Sequence, residues 1–216
     1  MSQLFAIDGP SGSGKSTTAK LLARRLGLGY LDTGAMYRAA TTEYLRQHPD
    51  GASQEVVAQL VDRAELTCET SPNGPRFVIN GQDVTDEIRE PRISAAVSEV
   101  ATNREVRRLL TERMREIIAE HDRRIVVEGR DITTVVAPDA DVRVLLIADP
   151  EARVARRAAE VEGKATAEEV TDQVLRRDRD DSTVSNFTVA AEGVVVIDST
   201  FLSPDQVVDR IVELAR

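Results

Sequence analysis

The stretch that decides the fold lies near the start of the chain and reads Gly9-Pro10-Ser11-Gly12-Ser13-Gly14-Lys15-Ser16-Thr17. It fits the pattern GxxxxGK[ST], in which glycines let backbone N–H groups surround phosphates, the lysine neutralises their charge and the hydroxyl binds Mg²⁺. An apolar run at Leu4–Ile7 precedes it, and a helical pattern at Thr17–Leu26 follows it. A flexible glycine-serine turn would require neither this lysine nor these flanks. The stretch therefore predicts a strand, a loop and a helix N-terminus that together bind a nucleoside triphosphate.

Composition narrows the class of protein. The chain has 216 residues, of which 41% are hydrophobic, and this suits one α/β domain with insertions. Cys68 is the single cysteine, so no intrachain disulfide is possible, and the first residues lack a secretory signal pattern. No apolar run approaches the roughly 20 residues that span a bilayer. We therefore expect a cytoplasmic protein with no membrane role.

The charge balance bears on partners. A net charge of −9 disfavours a protein whose main partner is a nucleic-acid backbone. Of the 28 basic residues, however, 25 are arginine, whose fork binds phosphate with two hydrogen bonds. Most of them fit a general compositional preference for arginine, while a subset is expected to form local anion sites. Small-molecule nucleotides are therefore the expected partners.

Continuously apolar runs predict a parallel sheet. The runs at 4–7, 125–128, 142–147 and 194–197 have the composition of strands buried on both faces, and helical patterns separate them. A short fifth strand is expected at Gly29–Leu31. The predicted fold class is α/β, a P-loop core in which helices flank a five-stranded parallel sheet.

Two segments depart from this pattern. Between short strands at 65–70 and 76–80, the turn cluster Ser71–Pro75 predicts a small antiparallel insertion at about 65–85, and Asn80-Gly81 is a second hairpin signal. The charged helical pattern at 151–182 fits either a mobile arginine-bearing flap or a solvated charged face. Helices are further predicted at 91–101, 103–120 and from Ser203-Pro204 onward.

Residues outside the loop distinguish among proteins that bind triphosphates. The chain has no NKxD tetrapeptide for guanine recognition and is too short for a large motor domain. A compact kinase remains, which requires a second anion pocket facing the γ-phosphate. Asp32-Thr33-Gly34 with Arg38, and Glu128-Gly129-Arg130-Asp131, each place a cation beside a glycine turn after a predicted strand. Asp32 alone fits a helix cap and Arg38 alone a surface residue, but together the two motifs favour a phosphate acceptor at the carboxyl edge of the sheet.

Five motifs in order resemble those of the bacterial cytidylate (CMP/dCMP) kinases. They are IDGPSGSGKST, LDTGAMYR, the stretch from NGQDVTDEIR to AVSEVA, VVEGRDITTVVAPDA and RRDRDDS, and they extend from Ile7 to about Ser199. The resemblance implies one kinase domain over 1–216, with a nucleoside-monophosphate (NMP) region enlarged by a small antiparallel sheet and a helical lid. The expected parts are a core at about 1–35, 121–150 and 190–216, the NMP region at about 36–120 and the lid at about 151–189.

The same resemblance implies roles on the donor side. Gly9–Thr17 would hold ATP, with Lys15 bridging the phosphates and Ser16 binding Mg²⁺. Glu128, at the end of a core strand, would accept a hydrogen bond from Mg²⁺-bound water. Arginines of the lid near the donor phosphates would be Arg153, Arg156 and Arg157, of which Arg153 and Arg157 are assigned to catalysis together with Lys15 and Arg130.

On the acceptor side the resemblance implies three groups of residues. Arg38 and Arg130 would bind the acceptor phosphate, with Thr33 nearby. The cytosine edge would meet Ser98, Arg107 and Asp131. The ribose would meet Arg177 and Asp181. By themselves, Ser98 fits a small packing residue and Asp181 a helix end.

One position departs from the family pattern. The lid motif commonly carries an arginine where this chain has Val184, and Ser185-Asn186-Phe187-Thr188-Val189 replaces a proline-bearing stretch. We therefore expect weaker CMP binding or an altered preference among pyrimidines, unless Arg179 substitutes.

The expected chemistry needs no strong general base, because the acceptor phosphate is already largely dianionic at pH 7, with a second pKa of about 6. His48 and His121 accordingly fit surface positions. Alternatives are a kinase of UMP, dTMP or AMP, a small-metabolite kinase such as a shikimate kinase, or an ATP-binding regulatory module that transfers no phosphate. A monomer is expected, since no helical face is left without an intrachain partner.

Overall fold

The computed structural model describes residues 3–160, 179, 182, 183, 185 and 187–215. The strands are β1 Gln3–Asp8, β2 Gly29–Asp32, β3 Leu66–Glu69, β4 Arg76–Ile79, β5 Gln82–Asp83, β6 Arg124–Gly129, β7 Val142–Ile147 and β8 Val195–Asp198. The helices are α1 Lys15–Leu26, α2 Thr33–Gln47, α3 Gln54–Arg63, α4 Pro91–Ala101, α5 Arg104–Glu120, α6 Pro150–Glu160 and α7 Pro204–Leu214. A 3₁₀ turn, Glu87–Arg89, and a π-helical turn, Ile132–Val136, complete the described elements.

Five strands form the predicted parallel sheet in the order β2-β6-β1-β7-β8. The register aligns Asp8 with Gly129 and Asp32 with Glu128, so the carboxyl ends of β1, β2 and β6 lie at one edge. The predicted fold class is therefore confirmed. Ligands of open α/β sheets bind at this edge, and the polar residues predicted for the site follow these same strands.

Helices cover both faces of the sheet, which explains why its strands are continuously apolar. Along β1 the side chains alternate: Leu4 and Ala6 belong to the apolar cluster that includes α2 and α5, whereas Phe5 and Ile7 belong to the cluster that includes α1 and α7. These two layers fix the position of β1. The loop that follows β1 is therefore anchored on a rigid strand.

The predicted antiparallel insertion is a three-stranded sheet in the order β3-β4-β5. Leu66 pairs with Ile79, and the turn at Asn80 and Gly81, where φ is +49° and +77°, adds the short strand β5. Phe77 and Ile79 of β4 are buried in the same apolar cluster as Met36 and Ala40 of α2. The insertion thus lies beside the helix that carries Arg38.

Three local features differ from the sequence expectations. Helix α1 begins at Lys15, two residues earlier than predicted, and α3 follows a Ser53 cap that was not anticipated. The expectation that His121 is a surface residue was wrong. It is half-buried at the end of α5, and its Nε2 lies 2.5 Å from Thr70 Oγ1.

Among the described residues, no helix has the length and apolarity that a membrane crossing requires.

Candidate active site

The loop between β1 and α1 has the conformation its glycines predicted. Gly12 and Gly14 have φ of +75° and +89°, values that side chains with a Cβ rarely adopt. A Cβ on Gly12 would also lie 2.5 Å from the carbonyl oxygen of Arg153. Lys15 Nζ donates a 2.7 Å hydrogen bond to the carbonyl of Pro10, so the side chain turns back across the loop. The loop, the lysine and the start of α1 thus form one cationic concavity.

A cavity of about 490 Å³ lies between this loop and the acceptor motifs. It brings together phosphate-loop residues with residues from the ends of β2 and β6, from α2 and from α6. Predicted site residues on its wall are Ser11, Gly12, Gly14, Lys15, Ser16, Thr17, Arg38, Glu128, Arg130 and Arg157. The two anion-binding motifs predicted from the sequence therefore face one space.

Glu128 is a buried carboxyl at the wall of this cavity. Tyr30 Oη donates a 2.5 Å hydrogen bond to its Oε1, and the hydroxyl of Ser16 also donates to it. Burial, followed by the charge of Asp32, raises the pKa of Glu128, while Lys15 and the two hydroxyl donors act in the opposite direction. A cation near Glu128 would therefore stabilise its ionised form.

The oxygens of Ser16 and Glu128 suit a hard divalent cation. Mg²⁺ is commonly bound by one or two protein oxygens, with water and substrate phosphates completing the shell. Within the part of the chain that the structure describes, no group of three or more His, Cys, Asp or Glu side chains is arranged for a metal. A hydroxyl and one carboxyl beside a phosphate loop fit Mg²⁺ carried in with a nucleotide.

Asp8 links the donor loop to the acceptor turn. It precedes Gly9 directly, is buried, and accepts hydrogen bonds from Ile132 N, Thr133 N and Thr133 Oγ1 at 2.8, 2.8 and 2.6 Å. Burial raises the pKa of Asp8, and the Thr133 and Ile132 donors oppose that rise. These bonds hold the start of the π-helical turn, which follows Arg130 and Asp131 directly.

In the first acceptor motif, Asp32 is the helix cap that its sequence allowed and also contacts Arg38. Asp32 caps α2 by accepting from Ala35 N at 2.8 Å through Oδ1, and its Oδ2 pairs with Arg38 at 3.0 Å. Thr33 Oγ1 donates to the carbonyl of Glu128 at 2.8 Å. A Cβ on Gly129 would lie 2.5 Å from this hydroxyl oxygen, which explains why glycine follows Glu128.

The second acceptor motif carries an ion pair. Arg107 of α5 pairs through Nη2 with Asp131, and its Nη1 donates to the carbonyl of Ala101 at 3.1 Å. Both side chains are largely buried, and the guanidinium also lies 6.0 Å from the ring centroid of Tyr37. Ser98 is half-buried on α4, about one turn before Ala101. The structure therefore brings Arg107 and Asp131 into contact and places Ser98 on the adjoining helix.

Arg130 is half-buried, and an aromatic ring lies against it. Its Cζ is 4.5 Å from the ring centroid of Phe187. This contact was not predicted, because the two residues are far apart in the chain.

The three lid arginines occupy different places. Arg153 is buried and donates to the carbonyl of Ser11 at 3.1 Å, whereas Arg157 lines the cavity. Arg156 donates to Ser199 O at 2.7 Å and to its Oγ at 3.0 Å. Ser199 Oγ in turn donates to the carbonyl of Ser13 at 2.9 Å. Arg153 and Arg156 therefore support the phosphate loop, and Arg157 faces the ligand space.

Several residues on the cavity wall were missed. Lys20, Arg89 and Ser94 line the cavity, and Tyr30 contacts Glu128 behind it. Arg89 is the last residue of the stretch NGQDVTDEIR. Its position as a basic residue after a predicted hairpin was the sequence feature that could have identified it as a site residue. The predicted ribose residues Arg177 and Asp181, together with Val184, lie outside the described residues.

A phosphate loop at the carboxyl edge of a parallel sheet, facing a second set of arginines, defines the class of P-loop kinases. A family model described as cytidylate kinase matches residues 5–216. The cytidylate kinase of Cutibacterium acnes is 54% identical over 98% of this chain and 95% of its own length. The cytidylate kinase of Streptomyces avermitilis is 41% identical over 98% and 91%, respectively. The chain belongs to the cytidylate kinase family, which confirms the resemblance.

The solved structures agree on the fold. An uncharacterised protein from Eubacterium ventriosum has a TM-score of 0.55 with 14% sequence identity, and the match covers 99% of this chain and 98% of that one. At this identity the likeness concerns the fold alone.

Proposed function

We propose that this protein transfers the γ-phosphoryl group of ATP to CMP, giving ADP and CDP. Beyond family membership, one observation supports this acceptor most directly: the ion pair between Arg107 and Asp131, next to Arg130 at the cavity. A carboxylate accepts from the exocyclic amine of cytosine, and a guanidinium donates to its ring acceptors. The pair thus presents an acceptor and donors in the pattern complementary to cytosine.

On the donor side, Gly9–Thr17 bind the phosphates of ATP through backbone N–H groups, and Lys15 neutralises charge across the transferred group. Ser16 and Glu128 would hold Mg²⁺, the hydroxyl as a ligand and the carboxyl through a bound water. When bound, Mg²⁺ withdraws charge from the β- and γ-phosphate oxygens. Arg153 and Arg157 act on the same side, Arg153 through the loop carbonyl of Ser11 and Arg157 from the cavity wall.

On the acceptor side, Arg38 and Arg130 bind the phosphate of CMP, and Thr33 lies close to it. Arg107, Asp131 and Ser98 bind cytosine, while Arg177 and Asp181 bind ribose. We assign these residues to an NMP region at about 36–120 and to a lid at about 151–189. The remainder, at about 1–35, 121–150 and 190–216, is assigned to the core.

The transfer requires positioning more than proton chemistry. An oxygen of the CMP phosphate attacks the γ-phosphorus, the bond from that phosphorus to the β–γ bridging oxygen breaks, and the electron pair goes to the β-phosphate of ADP. The CMP phosphate is largely dianionic, with a second pKa of about 6, so no side chain needs to take its proton at neutral pH. Lys15 and the arginines hold the anions in line and exclude water, which suppresses hydrolysis of ATP.

We further propose that dCMP is an acceptor, and that the protein is a cytoplasmic monomer with nucleotides as its partners. Kinases of UMP, dTMP, AMP or shikimate share the donor loop and are distinguished by the acceptor. A regulatory ATP-binding module would not require the acceptor arginines that line the cavity.

A product assay tests the function. The protein is incubated with MgATP and, separately, with CMP, dCMP, UMP, AMP, dTMP and shikimate, and the phosphorylated products are quantified. We expect CDP to form with the highest kcat/KM, with dCDP next. Phosphorylation of another acceptor in preference to CMP would replace the proposed substrate, and the absence of any product would reject the kinase function.

A further inference from the structure

Phe187 lies against the acceptor arginine Arg130. The ring centroid is 4.5 Å from the guanidinium carbon, and the side chain is only 1% exposed. This is within the roughly 6 Å at which a guanidinium interacts with an aromatic face. The contact joins a segment assigned to the lid with the turn that follows β6.

The surroundings of Phe187 differ from those of two other buried phenylalanines. Phe5 packs in the apolar cluster that includes α1 and α7, and Phe77 in the cluster that includes α2 and α5. Among the described residues, Phe187 belongs to neither cluster. The guanidinium of Arg130 lies over its ring, so changes to the ring are expected to act on that arginine.

The chemistry of the contact suits an arginine that binds phosphate. An aromatic ring contacts the face of a guanidinium, whereas a phosphate accepts from its in-plane N–H groups in pairs, so one arginine can make both contacts. A carboxylate partner acts differently, because Asp32 adds a negative charge beside the guanidinium of Arg38. Phe187 orients Arg130 without adding a competing anion.

We propose that Phe187 is a positioning residue that holds the guanidinium of Arg130 in the orientation that binds the acceptor phosphate. The inference rests on the proposed function of Arg130. It also gives a role to the stretch Ser185–Val189, which replaces the proline-bearing segment common in the family. In this chain that stretch carries the aromatic side chain that contacts the acceptor site.

Matched phenylalanine-to-leucine variants test the proposal. Phe187→Leu removes the aromatic face while keeping apolar volume. Phe5→Leu makes the same change at an equally buried ring that packs in the apolar cluster with α1 and α7. We expect Phe187→Leu to raise the KM for CMP about fivefold and to change the KM for ATP less than about twofold. Phe5→Leu is expected to lower Tm and leave both KM values unchanged.

A double-mutant cycle separates positioning from general packing. The Kd for CMP is measured by calorimetry for the wild type, Phe187→Leu, Arg130→Ala and the double variant. If Phe187 acts through Arg130, its roughly fivefold effect falls below about 1.5-fold once Arg130 is absent. The proposal would be overturned if the fold-changes in Kd of the two single variants simply multiplied in the double variant. A change in the KM for CMP in Phe187→Leu no larger than in Phe5→Leu would overturn it as well.

Two further variants keep the test decisive if Phe187→Leu does not fold. Phe187→Tyr keeps the ring and is expected to bind CMP within about twofold of the wild type, whereas Phe187→Met removes the ring and is expected to bind about fivefold more weakly. Equal affinities of these two variants would reject the role. Failure of the proposed function is distinguishable, since the wild type itself would then make no CDP.

Discussion

The two halves of the active site hold their cations in different ways. We define the donor half as residues 9–17 with α6 and Ser199, and the acceptor half as residues 32–38 with Arg107 and residues 128–131. In the donor half, Lys15, Arg153 and Arg156 donate to backbone carbonyls of Pro10, Ser11 and Ser199. In the acceptor half, Arg38 pairs with Asp32 and Arg107 pairs with Asp131.

This difference matches what each half has to recognise. A carbonyl oxygen positions a cation without adding a full negative charge of its own, which suits a site for phosphates that are alike in every nucleoside triphosphate. A carboxylate beside an arginine presents both an acceptor and donors, the combination needed to read the edge of a base. We therefore expect the acceptor half to determine selectivity and the donor half to neutralise charge.

The largest effect is expected where the donor half contributes charge to the transfer. Lys15→Ala should lower kcat about 1000-fold, because the transferred phosphoryl group loses a preorganised cation. The fold should persist, as judged by Tm and circular dichroism. Lys20→Ala is the control, since it removes the same charge from the same helix and cavity and is expected to cost less than about fivefold in kcat. Near-normal turnover in Lys15→Ala would contradict the assigned role.

The second largest effect is expected for Asp8, which links the donor loop to the turn after Arg130 and Asp131. Asp8→Ala leaves the buried donors Ile132 N, Thr133 N and Thr133 Oγ1 without their acceptor, so unfolding free energy should fall by about 3 kcal/mol. Urea unfolding measures this. Asp141→Ala removes a carboxylate that accepts from Leu4 N, near the opposite end of β1, and should cost about 1 kcal/mol. Equal costs would argue against the three-bond link.

Loss of an acceptor arginine should affect one substrate only. Arg38→Ala is expected to raise the KM for CMP about 50-fold, corresponding to a charged phosphate contact, with the KM for ATP within about twofold. Arg46→Ala on the same helix serves as the control, because Arg46 contacts Glu43, Gln82 and Glu87 and does not line the cavity. If Arg38→Ala raised the KM for CMP and the KM for ATP by the same factor, Arg38 would contribute to binding of both substrates, which contradicts the prediction.

The smallest effect is expected at the support of the phosphate loop. Ser199→Ala removes the donor to Ser13 O and should raise the KM for ATP about threefold while destabilising the fold by about 1 kcal/mol. Ser203→Ala removes the cap of α7 at a similar cost of about 1 kcal/mol and should leave the KM for ATP unchanged. Equal KM values in the two variants would mean that Ser199 contributes only to stability.

The sequence predicted the sheet and the loop well because both follow local rules. Continuous apolar runs identified four of the five parallel strands, and the fifth was expected as a short strand at Gly29–Leu31. The glycine pattern identified the phosphate loop before any contact was known. The separation of the core into two layers also follows from β1, where Leu4 and Phe5 face opposite sides. Periodicity and turn chemistry are sufficient for such features.

Contacts between distant residues did not follow from those rules. Three contacts join segments that are far apart in the sequence and meet only in the folded protein. They are the hydrogen bonds of Thr133 to Asp8 and of Tyr30 to Glu128, and the packing of Arg130 against Phe187. Asp8 and Tyr30 have the sequence context of ordinary strand residues. Family resemblance alone implied that Arg107 and Asp131 meet the cytosine edge, since a basic residue on a charged helix carries no signal of its own. Their ion pair was not predicted.

Acceptor selectivity of an Asp131→Asn variant tests the division of the site most directly. Uracil presents an oxygen where cytosine presents an amine, so a carboxylate repels it, whereas the amide of asparagine donates to it. The ratio of kcat/KM for CMP to that for UMP should fall at least about 30-fold from wild type to variant, and the KM for ATP should change less than about twofold. An unchanged ratio, or an equal loss for ATP, would contradict the assignment of selectivity to the acceptor half.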